Sequence, residues 1–396
     1  MDNAFSHARR SSSPVHVGDV VGQLSVLDRL LPIWIVLAMA LGLGLGAAIP
    51  GLPVALDSLK VDTVSIPIAI GLMWMMYPVL ARVKYEELTA GRIGHAWRFY
   101  GTSLTFNWLI GPVLMFALAW LLLPDLPEYR TGIVLVGLAR CIAMVLMWNH
   151  LAGGDGEDAA VLVALNSVFQ VLTYPLYAFL FLALVPRWLG LGSGQAVNIG
   201  FWDVAKSVLV FLGIPLAAGV ITRVIGTRTR GTAWYDQVAM PRLAPTSLVA
   251  LLFTIVVMFS LKGDVILALP GDVLRIAAPL VVYFALSFGT AFWIGHRSGF
   301  PYKRTVTLAF TAAGNDFELA IAVAVGVFGI ASKEALATVV GPLIEVPMLV
   351  SLVYVALWLG RRLRWSGPAS TDYKAAPTSV EPSGANLFRE EVHGMS

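Results

Sequence analysis

The chain has 396 residues, of which 58% are hydrophobic and 13% charged, with a net charge of +3 and a mean hydropathy of +0.78. A soluble globular chain carries about 25% charged residues, so this one cannot cover itself with polar surface in water, and lipid is its natural solvent. The small net charge, scattered between apolar runs, argues against a nucleic-acid partner, and the single cysteine, Cys141, excludes an intrachain disulfide or a thiolate metal cluster.

A spanning helix needs about 20 mostly apolar residues. Ten segments are candidates: Leu31–Ile49, Val64–Leu80, Tyr100–Leu123, Gly132–Leu151, Ala159–Val185, Val204–Ile225, Leu243–Leu261, Val273–Gly295, Thr305–Val327 and Ala335–Gly360. The first follows a long polar stretch and is followed by many others, which is not the layout of a secretory signal. Connections are short, so no soluble domain is inserted. Residues 1–28 and 364–396, rich in Ser, Pro, Gly and charge, read as disordered tails. The expected fold is an all-α polytopic membrane protein of ten transmembrane helices.

Loop charge sets the expected orientation. With the N-terminus inside and ten passes, the inner side receives Arg82, Lys84, Arg92, Arg98, Arg223, Arg228, Arg230, Arg242, Arg297, Lys303, Arg304, Arg361, Arg362 and Arg364, besides Arg9, Arg10 and Arg29. The outer side keeps Lys60, Arg130, Arg187, Lys206, Lys262, Arg275 and Lys333. An odd number of spans would break this bias halfway along. Both termini are therefore expected in the cytoplasm.

The two halves, 29–190 and 191–363, resemble each other weakly. The fourth and ninth segments each carry small and polar residues in mid-span, Gly137-Leu-Ala-Arg-Cys141 and Ala312-Ala-Gly-Asn-Asp316; the fifth and tenth each carry a polar residue before a proline, Gln170 with Pro175 and Glu345 with Pro347. Five spans repeated once run oppositely through the membrane, the inverted plan of many secondary transporters, whose sites form at broken helices near the midplane.

The chemistry concentrates at those places. A charge at the bilayer centre costs about 2.5–3.5 kcal/mol on insertion scales, so Asp316 and Glu318 need water, a partner or a substrate. Two residues apart, they cannot share one helical face. Gly314 marks an expected break between Ala313 and Asn315. Arg140 is an expected ion-pair partner for either acid, and Cys141 follows that cation. Glu345, bracketed by Pro342 and Pro347, sits where the helix ladder loses donors and is a candidate proton carrier, with Asp316 as the alternative. Asn166 and Gln170 share a helical face. Bland readings stand beside these: Cys141 as a small buried hydrophobe, the amides as helix-to-helix bonds, and the acids as groups reaching an interface.

Other signals carry no function. Gly42, Gly44 and Gly46 lie in no strand–turn–helix unit and read as packing glycines of a membrane helix. The six histidines show no metal-ligand spacing. No Walker A, HExxH or Ser-His-Asp pattern is present, so no catalytic residue or cofactor is expected.

Several of these stretches identify a resemblance: Gly137-Leu-Ala-Arg-Cys-Ile-Ala-Met-Val145, Trp148-Asn-His-Leu-Ala-Gly-Gly-Asp155, Ala164-Leu-Asn-Ser-Val-Phe-Gln170, Phe310-Thr-Ala-Ala-Gly-Asn-Asp-Phe-Glu-Leu-Ala-Ile-Ala-Val323 and Gly341-Pro-Leu-Ile-Glu-Val-Pro347. Over Leu30 to Arg362 the chain resembles the arsenite efflux permeases of the arsenical-resistance type-3 family, in the bile acid/sodium symporter superfamily. The resemblance implies ten spans in a cell membrane, export of trivalent arsenic as arsenite, proton antiport without an ATPase, and roles in transport for Cys141 and Glu345. Asn315, Asp316, Glu318 and Asn166 would complete the site as hydroxyl-matching groups. Two positions depart from the family pattern, Asp316 where Asn is common and His150 where Asp is frequent. A sodium-coupled organic-anion symporter of the same superfamily is the alternative, with Gln170, Asp316 and Glu318 as part of an ion site. A membrane receptor is the alternative of another class, disfavoured because the tails are short and featureless.

Overall fold

In hydrocarbon every backbone polar group must be bonded within the protein, which restricts an apolar chain to helices or a closed barrel. The computed structural model describes residues 30–365 apart from 50, 52–59, 62–63, 89–93, 95, 192–199, 268–269 and 331. The two expected tails, save 364 and 365, and the arginines at 9, 10, 29 and 92 lie outside the described residues.

The described chain is helical almost throughout. α1 (Leu31–Ala48) and α2 (Ile66–Ala81) are followed by α3 (Trp97–Leu122). The fourth predicted segment is two helices, α4 (Pro127–Leu138) and α5 (Val145–Leu151). Next come α6 (Gly156–Trp188), α7 (Phe201–Arg230) and α8 (Thr232–Ser260, helical on to Leu267), then α9 (Pro270–Arg297). The ninth segment is again two helices, α10 (Tyr302–Ala313) and α11 (Phe317–Phe328), and α12 (Lys333–Arg362) closes the order. A two-residue ladder pairs Lys60–Val61 with Val64–Ser65. Among the described residues six helices, in α3, α6, α7, α8, α9 and α12, are long and apolar enough to cross a membrane, and α1, α2 and α11 are apolar but shorter. The chain is an all-α polytopic membrane protein.

Prolines shape these helices in two ways. Each π turn among the described residues, Phe106–Ile110, Leu180–Leu184, Leu209–Gly213 and Tyr235–Ala239, ends two residues before a proline: Pro112, Pro186, Pro215 and Pro241. A proline ring clashes with the carbonyl four residues back, and widening that turn relieves the clash. Pro175, Pro342 and Pro347 instead lie inside continuous helix. The expected loss of ladder donors beside Glu345 thus falls within an unbroken α12.

The helices pack in two sets. α8 lies along α1 and α2, and α7 along α2. Gly42 and Gly46 allow the first contact, since a Cβ on either would come within 2.5 Å of the Val256 or Ser260 carbonyl oxygen; Gly44 faces open space. In the second set α9 packs on α10, α12 and α3, α4 packs on α12 and α3, and α11 leans on α12. α7 touches both α6 and α11, joining the sets.

Candidate functional site

The two helix breaks meet. α4 stops at Leu138 because Ala139 is extended (φ −82°, ψ 121°), and α10 stops at Ala313 because Gly314 is extended (φ −68°, ψ 142°). Arg140 and Asn315 pair as an antiparallel bridge. The Asp316 N–H donates to the Ala139 carbonyl (3.2 Å) and the Cys141 N–H to the Gly314 carbonyl (3.4 Å). A Cβ at Gly314 would sit 2.8 Å from the Cys141 Cβ, so the crossing needs glycine there.

Helix ends leave carbonyls and N–H groups without intrahelical partners, and the neighbouring side chains satisfy several. Asn315 Nδ2 donates to the carbonyls of Val136 (2.8 Å) and Ala139 (3.2 Å) at the end of α4. Arg140 Nη2 donates to the Gly137 carbonyl, placing a cation at the negative end of that helix, where it is favoured. Asp316 caps α11, accepting from Leu319 N–H at 3.0 Å, which puts a carboxylate at the positive end.

Arg140 is fully buried and differs from its expected role. Its Nη1 donates to the Tyr283 hydroxyl (2.8 Å), and among the described residues no ion pair joins it to Asp316 or Glu318. Gly111 follows the π turn of α3, and a Cβ there would lie 2.6 Å from Arg140 Nη1; that is the space the guanidinium fills. Asp316 and Glu318 interact with each other. They are only two residues apart, but Asp316 is a cap outside the helix, so the same-face rule does not separate them.

Cys141, unpaired as a thiol and buried, lies within electrostatic range of Glu345, Asp316 and Glu318. Gly341 brings Glu345 in: a Cβ there would collide with the Phe317 ring at 1.8 Å, so α12 presses on the start of α11 one turn before the acid. Asn166 Oδ1 accepts from Trp108 Nε1 (3.2 Å) and Gln170 Oε1 from the Arg140 N–H (2.7 Å). Each amide thus spends one end on packing. The other ends, Asn166 Nδ2 and Gln170 Nε2, are buried with no hydrogen-bond partner, as are Asn315 Oδ1, Asp316 Oδ2 and Glu345 Oε1. Such groups are rare in native interiors. Here they come from three places around one crossing, α6, the break between α10 and α11, and α12, which suits a small polar solute with several hydroxyl groups.

Sequence reasoning overlooked the aromatic partners. Tyr283 bonds both broken segments, Tyr174 donates to the Leu135 carbonyl (3.0 Å) and Trp108 holds Asn166. The available signal was a phenol or indole in mid-span, away from the interfacial belts where these rings collect. His150 is exposed at the end of α5, whereas Asn149 beside it is buried and bonds Asp155 and Thr307.

The profile of the Sodium Bile acid symporter family matches residues 69–269. An arsenical-resistance protein Acr3 of Corynebacterium glutamicum is 51% identical over 341 residues, 86% of this chain and 91% of that one. The chain belongs to this family, as an Acr3-type member. A second Acr3, from Alkaliphilus metalliredigens, is 32% identical over 86% of this chain and 94% of its own length. An uncharacterised transporter of Synechocystis is 33% identical over 86% of this chain and 92% of its own. Membership makes the chain a transporter and not an enzyme.

Proposed function

We propose that this protein exports trivalent arsenic as arsenite in exchange for protons, and thereby confers arsenic resistance. The observation that carries the reading is the crossing itself, where the one thiol of the chain adjoins buried, unpartnered oxygen and amide atoms. Arsenite is neutral near pH 7 and soft toward sulfur. One thiol can exchange for one arsenite hydroxyl with release of water, arsenic staying trivalent, so no oxidant is required. Cys141 takes that contact, and Asn315, Asp316, Glu318, Asn166 and Glu345 meet the remaining hydroxyls. A single thiol also lets the solute go, as a transport site must.

In this reading α4 with α5, and α10 with α11, each make one pass. The ten passes form two inverted five-helix repeats, 29–190 and 191–363, with both termini in the cytoplasm. Glu345 carries the proton, with Asp316 as the alternative.

The family's name favours a second reading, sodium-coupled movement of an organic anion. Arsenite loading of everted vesicles separates the two. Accumulation that follows the proton gradient, ignores sodium and is abolished in Cys141→Ser with membrane insertion intact supports arsenite efflux. Unimpaired export by Cys141→Ser removes the thiol contact from the scheme.

A further inference from the structure

The stretch that follows α2 is held from three directions. A Cβ on Gly219 of α7 would come 2.8 Å from the Ala81 nitrogen, so α7 lies directly against the end of α2. The Tyr235 hydroxyl of α8 donates to the Ala81 carbonyl (3.1 Å). Arg223 of α7, itself buried, grips the Glu86 carboxylate through Nε (3.0 Å) and Nη2 and pairs with Asp236 (3.0 Å). Such two-pronged, charge-assisted bonds fix geometry as well as charge. Tyr85–Glu87, a single 3₁₀ turn, is therefore a fixed projection of α2, α7 and α8.

From this projection Tyr85 reaches across to α6. The turn packs on α6. The half-buried Tyr85 side chain is anchored by its hydroxyl, which donates to the Leu80 carbonyl (3.1 Å), and it comes within hydrogen-bonding reach of Ser167. The loop itself is wet: Arg82 and Lys84 are exposed and Glu86 is half exposed, as charges in a membrane protein must be unless they are paired. Across the ring the exposure falls to zero, at Ser167 and at Gln170 one turn further along the same face of α6. Gln170 Oε1 accepts from the Arg140 N–H, and Cys141 is the next residue. Ser167 lies about 16 Å along α6 from its start at Gly156, so the wet loop meets the dry crossing at depth.

We propose that Tyr85 is the gate of the crossing on the side of the α2–α3 connection: its ring, set against Ser167, separates the water at Lys84 and Glu86 from Gln170, Asn166 and Cys141. A stiff ring with a polar tip suits a seal that must close and reopen. The apolar face excludes water, and the hydroxyl finds partners at Leu80 and Ser167 without a charge to bury. Neither Tyr85 nor Ser167 belongs to the set of groups that would meet the solute, and the gate stands whether or not arsenite is the cargo.

Cys141 is the one thiol of the chain, so its labelling by a membrane-impermeant maleimide reports entry to the crossing without any transport assay. Labelling of the full chain is timed from each membrane face, in everted vesicles and in spheroplasts. Tyr85→Ala is expected to speed labelling several-fold from one face only, the cytoplasmic one in the proposed orientation. Tyr85→Phe keeps the ring and labels near the parent rate. Tyr77→Ala removes a ring of like size from α2, one whose hydroxyl bonds Thr222 of α7 instead, and leaves Cys141 as in the parent. An unchanged rate in Tyr85→Ala, an equal rise from both faces, or an equal rise in Tyr77→Ala would each overturn the gate, the last two by showing general loosening. A rise as large in Tyr85→Phe also overturns it, by assigning the effect to the hydroxyl and not the ring. A rise confined to one face supports the gate whichever face that is, so a wrong orientation is read separately from a failed gate. If Tyr85→Ala does not insert, Tyr85→Trp carries the test: its larger ring should slow labelling from that same face, and an unaltered rate there overturns the proposal.

Discussion

The Tyr283 hydroxyl accepts from Arg140 at 2.8 Å and donates to the Ala312 carbonyl at 3.3 Å, so one phenol on α9 ties together the two broken helices. Tyr283→Phe keeps the ring and removes both bonds. A buried donor left without its partner costs about 1–3 kcal/mol. The variant is expected to insert normally, melt at lower temperature and export arsenite several-fold more slowly. Export at the parent rate would mean that the backbone bridge alone holds the crossing.

Gly314 gives a sharper steric test. Its φ of −68° is open to any residue, so only space forbids a side chain: the added Cβ of Gly314→Ala would meet the Cys141 Cβ at 2.8 Å. Overpacking of this kind costs about 1–3 kcal/mol, and here it also displaces the thiol. Labelling of Cys141 by a maleimide and arsenite transport should both change in Gly314→Ala. The same substitution at Gly44, which faces open space, should change neither. An inert Gly314→Ala would show that the two segments can separate at no cost to transport.

Much of this was legible because membrane chemistry amplifies it. A carboxylate, an Asn and a Gly in one apolar run are costly enough to mark the break at Gly314–Asp316, and the matching position of Arg140 and Cys141 marked its counterpart. What stayed hidden depends on which way a side chain points. Arg140 looked like a mate for Asp316 by charge, but its guanidinium turns toward Tyr283 and the end of α4. Pro342 and Pro347 marked lost donors beside Glu345, and α12 runs through both, because a membrane helix packed on its neighbours tolerates missing donors. Tyr283 was one aromatic among the chain's 11 tyrosines, and only the fold brings it between two segments far apart in sequence.

The Arg223 cluster predicts a pH dependence at Glu86, which lies past the end of α2. Burial alone would raise the Glu86 carboxyl, but the Arg223 guanidinium, with Lys84 nearby, holds it below the usual carboxylate range. A carboxyl depressed in the folded state stabilises above its unfolded pKa and loses that contribution as pH falls through the folded value. Glu86→Gln should therefore melt lower than the parent at pH 7, by on the order of 1 kcal/mol once the screening of a half-exposed carboxyl is allowed for. The gap should close as the pH drops below the ordinary range for Glu. A gap that persists unchanged in acid would assign the effect to packing.

In the proposed arsenite–proton exchange, Glu345 is the residue on which energy coupling turns. A neutral solute moved outward against its gradient needs an inward ion, and the chain has no nucleotide motif to replace one. Glu345 is buried, its Oε1 has no partner, and it interacts with the carboxyls of Asp316 and Glu318. Arg140 is turned away toward Tyr283, and among the described residues it forms no ion pair with any of the three. Carboxyls that share a buried site exchange protons as a set. Arsenite hydroxyls and a proton would then compete for one acid, and that competition couples their movements. Glu345→Gln mimics the protonated side chain permanently. In everted vesicles energised by respiration it is expected to lose arsenite accumulation, as the parent does when a protonophore is added. Arsenite counterflow, which requires binding and movement but no proton gradient, separates the possible outcomes. Lost accumulation with surviving counterflow marks Glu345 as the proton carrier. Loss of both marks it as a binding residue and moves the carrier role to Asp316. Full accumulation in Glu345→Gln, or in the parent with its proton gradient collapsed, removes proton antiport and leaves sodium coupling as the next reading to test.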